Sequence, residues 1–342
     1  MKTRLKKASY FLYLLLAAVF LLEICFRFQL VDFYANEWEL LNTDRKAGKT
    51  KVLVGGDSFS ATQNSYVAQL RQLHPTWVIA NAAVPGTGPV EAGILLPQRI
   101  QSEQPDLFIY QLYVGNDLLD IDHPVNWKEL GWARNVYWSM TDYVRSMGFV
   151  NYRLGQFRRS FYDDAPTEGN PQLTNTFSPE KYYKRAQLLF QAEPQLIDNS
   201  ALLQNGREIS FQTVQSEVED LIECLPENTP VIILVIPHCA QVNEQYQQNM
   251  TALGAKINNS TDLLQVHYPF VEELEKKFAE QPLIHIANPL ATLRKADWEQ
   301  GAVYYANDPH LSPLGQEIIA TFLSRKLNVI LDGKIPLAGT KN

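Results

Sequence analysis

The segment Lys51-Val52-Leu53-Val54-Gly55-Gly56-Asp57-Ser58-Phe59-Ser60 decides how this chain is read. A short apolar run ends in two glycines, an aspartate and a serine. Such a run suits a strand buried on both faces of a parallel sheet, and the glycines permit a tight exit from it. Taken alone, Gly-Asp-Ser reads equally well as a turn in which Asp57 or Ser58 caps the next helix. Far downstream, Asn307-Asp308-Pro309-His310-Leu311-Ser312 precedes a helix-like stretch. The two motifs together supply the serine, histidine and aspartate that Ser-His-Asp nucleophilic catalysis needs, a constellation recognised by geometry rather than chain order.

Working outward, four further apolar runs resemble the first: Trp77–Ala80, Leu107–Leu112, Val231–Ile236 and Leu283–Ala287. Between and after the runs lie helical patterns at Ser65–Leu73, Val90–Ser102, Thr213–Cys224, Asp262–Phe278 and Pro313–Leu327. This alternation predicts an α/β fold with a doubly wound parallel sheet, whose functional crevice lies at the carboxyl ends of the strands. Ser58, Gly86, Asn116 and His238 all fall just after predicted strands, on that edge.

The alternation breaks between about residues 120 and 212. Here Trp127, Trp132, Tyr137, Trp138, Tyr143, Tyr152, Phe157, Phe161 and Tyr162 interleave with Arg134, Arg145, Arg153, Arg158 and Arg159. A Pro/Gly/Asn-rich break follows at 165–171, and then a predicted helix over Pro179–Gln191 with Ser178 as N-cap. The stretch reads as an insertion packed over or beside the catalytic edge. Its aromatics could stack on sugars or acyl chains, but a small core of the insertion's own, with solvated arginines, is the favoured reading.

Two more segments complete a pattern. After the second run comes Asn81-Ala82-Ala83-Val84-Pro85-Gly86-Thr87-Gly88, and after the third Tyr113-Val114-Gly115-Asn116-Asp117. Serine, glycine, asparagine and Asp-x-His in this order resemble the four blocks of the SGNH (GDSL-type) hydrolase family, over roughly Lys51 to Leu327. The resemblance implies a flavodoxin-like five-stranded sheet. It also implies Ser58 as nucleophile, His310 as base, Asp308 as the group orienting that base, and an oxyanion hole from Ser58, Gly86 and Asn116. The chain departs from the family pattern at Gly115, which directly precedes Asn116, at Ala83 in place of a second glycine, and at Pro309 in place of glycine. None of these removes a catalytic functional group.

Asp57, Asp117 and His238 are candidates for the site rim, with a structural role the alternative for His238. A solvated turn or helix start is the reading for Asp117, Asp120 and Asp122, which lack the spacing of a calcium loop. Cys25, Cys224 and Cys239 fit no metal pattern, and Cys224 and Cys239 are expected to be buried free thiols. No metal and no cofactor is expected. Gly86-Thr87-Gly88 is followed by Glu91 where a dinucleotide fingerprint needs glycine.

The N-terminus is a membrane signal. Residues 8–31 are almost wholly apolar, interrupted by Glu23, Arg27 and Gln29, and are long enough to cross a hydrocarbon core of ~30 Å as a helix. Glu23 and Arg27 share a helix face and can pair. Lys2, Arg4, Lys6 and Lys7 precede the run, which orients the N-terminus in the cytoplasm and the body outside it. No small-x-small cleavage site follows, so an uncleaved anchor is expected. The domain plan is therefore a basic tail at 1–7, an anchor at 8–31, a polar connector at 32–50, the hydrolase-like domain at 51–330 and a tail at 331–342.

The net charge over 342 residues is −7, and with the basic tail set aside the remainder is more acidic still. An acidic body argues against nucleic acid as a partner. The expected partner is an acylated glycan or lipid substrate at the membrane; oligomeric state is not legible. The leading function is a serine esterase acting on O-acyl, chiefly O-acetyl, esters outside the cytoplasm. An O-acyltransferase with a sugar hydroxyl in place of water is the alternative, and a non-catalytic glycan-binding or assembly protein on the same fold is the third reading.

Overall fold

A computed structural model describes residues 2–162 and 174–332. The break at 165–171 and the tail beyond Asp332 lie outside the described residues.

Five parallel strands form one sheet: β1 (Thr50–Gly55), β2 (Trp77–Asn81), β3 (Leu107–Tyr113), β4 (Val231–Ile236) and β5 (Ile284–Ala287), in the order β2-β1-β3-β4-β5. This is the flavodoxin-like order that the family resemblance implies. All five apolar runs are strands. β3 and β4 are buried along their whole length, and Leu53, Phe108 and Ile233 are inaccessible to solvent. Each such side chain contributes about 1.5–3 kcal/mol of burial, so the run of apolar residues itself drives the strand into the centre of the sheet.

Helix α1 (Lys2–Arg27) comes first, then α2 (Ala35–Leu41), α3 (Tyr66–Leu73), α4 (Pro89–Glu103) and α5 (Asp117–Ile121). The insertion supplies α6 (Trp132–Thr141), α7 (Ser146–Tyr162), α8 (Lys184–Ala192) and α9 (Leu196–Ala201). The chain returns to the sheet through α10 (Arg207–Glu223), α11 (Glu244–Ala252), α12 (Ser260–Leu263), α13 (Pro269–Lys277), α14 (Leu290–Gln300) and α15 (Pro313–Asp332). Connections run outward from β1 to β2, then back across to β3, β4 and β5. Right-handed crossovers therefore place α3 on one face and α4, α10 and α13 on the other. The contacts agree: α3 packs with α15 and α15 with α14, while α10 packs with α4 and α13. The reversal lies between β1 and β3, where ligands bind in open sheets of this type.

Three expectations are corrected. The pattern at Asp262–Phe278 is two helices, α12 and α13, because Pro269 disfavours helical backbone at Tyr268 before it. Ser178 caps no helix at Pro179; α8 starts at Lys184 with Tyr183 as its N-cap. Ser178 Oγ instead binds Glu180 and its N–H donates to Asn307 Oδ1 at 2.7 Å. The polar connector carries α2, and Asn42 exchanges hydrogen bonds with the backbone of Asn81 at the end of β2. Buried Arg71 holds the same end, donating to the carbonyls of Ile79 and Leu41, both at 2.8 Å.

The cysteines are all free; Cys239 is buried, but Cys224 is exposed at the end of α10, against expectation. Burial pushes the Cys239 thiol up to about 12.

Candidate active site

The loop that carries Ser58 leaves β1 through Gly56, whose φ of +153° and position against Gln111 leave no room for a side chain. A Cβ there would meet Gln111 Oε1 at 2.6 Å. Gln111, on β3, accepts the Asp57 N–H at 3.2 Å and the Ser60 hydroxyl at 3.0 Å. Asp57 Oδ1 accepts the Phe59 N–H at 2.9 Å, and Asn81 Nδ2 donates to the Ser60 carbonyl at 2.8 Å. These bonds hold a one-turn loop with Ser58 at its head, partly exposed above buried Asp57.

From the other end of the chain, α15 fixes the same loop. Gln316 accepts the Tyr66 N–H at 2.8 Å and donates to the Phe59 carbonyl at 3.3 Å. The segment before α15 then carries His310 over Ser58. His310 Nε2 lies 2.8 Å from Ser58 Oγ, and His310 Nδ1 lies 2.5 Å from Asp308 Oδ1. The same carboxylate oxygen accepts the His310 backbone N–H at 2.9 Å. With Asp308 ionised, Nδ1 carries the proton, which leaves Nε2 to accept from Ser58. Burial pulls the His310 pKa down, but the hydrogen bond and charge of Asp308, with the charge of Asp57, outweigh it and the net shift is upward.

Asn307 binds this segment to the insertion. It is fully buried, its Nδ2 donates to Thr174 Oγ1 and the Thr176 carbonyl, and its carbonyl accepts the Tyr183 N–H at 3.0 Å. The sequence shows Asn307 beside Asp308 but gives no sign of these partners.

Ser58, Gly86, Asn116 and His310 line one cavity of about 140 Å³, with Leu119 and Trp138 among its walls. Asn116 is reached directly from β3, and one of its amide hydrogens points to Asp120 Oδ2 at 3.3 Å. Asp120 also fills the space beside Gly88, where a Cβ would lie 2.3 Å from the Asp120 Cβ. The glycine loop after β2 and the asparagine turn after β3 thus close on each other.

The rim candidates divide. His238 lines the cavity. It is also buried, stacks toward Tyr113 at 6.2 Å, and accepts the Ala240 N–H on Nδ1 at 3.2 Å. Burial pushes its pKa down to about 4, so it is a neutral wall with its proton on Nε2. Asp57 and Asp117 are buried under the site rather than on its rim, because each is drawn into backbone bonds. Asp57 is bound to Phe59, and Asp117 Oδ2 accepts the Tyr113 N–H at 2.8 Å. Asp117 therefore starts α5 without being solvated, and burial raises the pKa of both carboxyls. Among the described residues, no group of three or more His, Cys, Asp or Glu side chains could hold a metal ion.

The insertion's aromatics divide between a small cluster of its own and one shared with the N-terminal segment. Trp138 walls the cavity and packs against Trp127 and His123, with ring centroids at 5.9 and 5.6 Å. Phe149 and Tyr152 instead join Phe26, Phe33 and Tyr34 from the end of α1 and the connector. Arg153 is not solvated there; it donates to Glu37 at 2.7 Å and to the Phe33 carbonyl at 2.6 Å. A buried pair, Arg207 with Glu193, joins α10 to the residue that follows α8. Arg207 also reaches the carbonyls of Asp122 and His123, beside the cavity.

No family model matches the sequence, and no curated protein sequence matches it. Among solved structures, the chain is similar to a lipase/acylhydrolase from Enterococcus faecalis, at 11% identity and a TM-score of 0.41, covering 82% of this chain and 96% of that one. It is also similar to a catalytic mutant of an acetylxylan esterase from Geobacillus stearothermophilus, at 11% identity and a TM-score of 0.42, covering 83% and 96%. At these identities neither relation assigns an activity to this chain.

Proposed function

We propose that this protein is a membrane-anchored serine esterase that removes a short acyl group from an extracytoplasmic glycan or lipid. The observation that carries the reading is the continuous hydrogen-bonded chain Ser58–His310–Asp308 at the mouth of a cavity. Ser58 Oγ attacks the ester carbonyl while His310 Nε2 takes its proton, and Asp308 holds the ring and stabilises the imidazolium. The Ser58 and Gly86 N–H groups and the second Asn116 amide hydrogen receive the oxyanion. His310 returns the proton to the leaving alcohol, and a water activated by the same nitrogen then releases the acid.

The size of the cavity supports a small acyl group, since a void of about 150 Å³ accommodates a benzene-sized guest. Retention of the N-terminal helix is supported by its built-in contacts. Phe26 is 1% exposed within the aromatic cluster, and Glu23 accepts the Arg145 and Ser146 N–H groups at 2.9 and 2.8 Å. Cleavage after this helix would remove a core side chain. Lys6–Arg27 has the length to span a bilayer, and an 18-residue window within it has a mean hydropathy of 2.2.

The test is labelling of the full-length protein with a fluorophosphonate. Wild type is expected to label and Ser58→Ala to lose labelling together with hydrolysis of p-nitrophenyl acetate, by at least about 10⁴-fold. An unlabelled, inactive wild type that is folded by circular dichroism would sink the catalytic reading.

A further inference from the structure

Helix α6 has two different faces. Trp138 points into the cavity that holds Ser58. On another face Trp132 and Val136, one turn apart, are 80% and 49% exposed, and Tyr143, just past the helix end, is 80% exposed. Large apolar side chains left in water along one stripe mark an interaction surface rather than packing.

The position of this stripe indicates what covers it. The Tyr143 carbonyl accepts from Arg27 Nη2 at 3.2 Å, and the next two N–H groups of the chain that bind α1 are those of Arg145 and Ser146, on Glu23. Arg27 is the last residue of the apolar span, so the end of α6 sits where that span ends. Phe28, Leu30 and Val31, immediately after the span, are also exposed. Two segments far apart in sequence thus carry bare apolar side chains to one end of α1. Arg27 stands among them, paired with Glu23 at 2.5 Å and with its side chain still 46% exposed. Tyrosine and tryptophan are the residues favoured at the membrane–water boundary, and a helix with an apolar stripe lies in that plane.

We propose that α6 rests on the bilayer surface through Trp132, Val136 and Tyr143, and that the cavity behind Trp138 takes its ester from a carrier lipid held in that bilayer. The second half rests on the esterase reading. In it the Ser58 Oγ–acyl bond forms as the acyl–oxygen bond to the carrier breaks, and the carrier oxygen takes the proton held by His310. Water then releases the acid from Ser58, and the carrier stays in the membrane.

The test uses the full chain in phosphatidylethanolamine–phosphatidylglycerol vesicles with p-benzoylphenylalanine at position 132, 136 or 143. Position 298 is the control, since Trp298 is 91% exposed on α14. Photolabelling of phospholipid is expected at all three positions, about tenfold above the control. Labelling no greater than the control at 132 or 136, or cross-linking to a second protein chain instead, overturns the docking of α6. For the carrier, the Trp132→Ser/Tyr143→Ser variant is expected to raise KM about tenfold for a short-chain ester borne on vesicle lipid, with p-nitrophenyl acetate hydrolysis unchanged. Equal loss on both esters, or no loss on either, overturns it. Failure of the esterase reading would show separately, as absent fluorophosphonate labelling, and leaves the photolabelling result decisive for the surface.

Discussion

The two sides of the cavity are held by different means. On the sheet side, Ser58, Asn116 and His238 follow directly from β1, β3 and β4, and buried side chains such as Gln111 and Gln316 receive or supply the loop hydrogen bonds. On the insertion side, α6 and α7 lie beyond the sheet and are tied down at their junction by Glu23 and Arg27 and farther along by Arg153. The first arrangement suits groups that must be placed within a fraction of an ångström for chemistry. The second suits a surface that must follow something outside the protein. The chemistry is thus expected to answer to substitutions at strand ends, and the insertion to substitutions at the end of α1.

The largest effect expected on the sheet side, after loss of Ser58 itself, is that of Asp308→Asn, with kcat reduced about 10⁴-fold through the wrong imidazole tautomer. The pH profile supplies a second readout. His310 must be neutral to act as base and its pKa is raised above 6.5, so kcat/KM climbs with pH through a midpoint above that value and then levels. Without the Asp308 carboxylate the midpoint falls, because burial acts with less opposition. A midpoint that stays in place would assign the titration to another group.

Arg207→Leu strands Glu193 as an unpaired buried carboxylate and is expected to cost about 3–5 kcal/mol of stability, read by urea denaturation. A smaller loss, with lowered kcat, would move this pair from scaffold to site. Asn116→Ala is expected to lower kcat by about 10²–10³-fold with little change in stability. If Asn116→Ala instead raised KM alone, Asn116 would be a binding group and the oxyanion would rest on backbone donors. The smallest effect belongs to Glu23→Gln, which weakens the acceptor for two N–H groups at the start of α7 by about 1 kcal/mol. Hydrogen exchange should then quicken at Arg145 and Ser146 and remain unchanged at Phe59 and Tyr66. Equal loosening at both places would erase the contrast between the two sides.

The same contrast explains what was legible in the sequence. The central strands are continuous apolar runs because they are buried on both faces, so the sheet and the four edge positions could be read from pattern, while the strand order was implied by the family resemblance. The insertion was read as a unit with its own aromatic core because its aromatics and arginines carry no mark of their partners. Phe149 and Tyr152 pack on residues more than a hundred positions away, and Trp138 faces a cavity. Asp57 and Asp117 were placed on the rim since a carboxylate in the turn after a strand gives no sign of being turned inward to a backbone N–H. The break before α13 was visible, since Pro269 stands in the middle of the pattern, but the apolar periodicity on either side masked it.

Ser58 and His310 stand 252 residues apart, and the contacts that bring α15 onto α3, Tyr66 with Gln316 and His74 with Ser324, each span 250. At a synthesis rate of about 5–20 residues per second, Ser58 precedes His310 by roughly 13–50 s. Throughout that interval Ser58 lacks the imidazole that lies 2.8 Å from its Oγ in the folded chain. The hydrogen-bonded chain Ser58–His310–Asp308 therefore closes only once the segment before α15 has been made and α15 has packed onto α3.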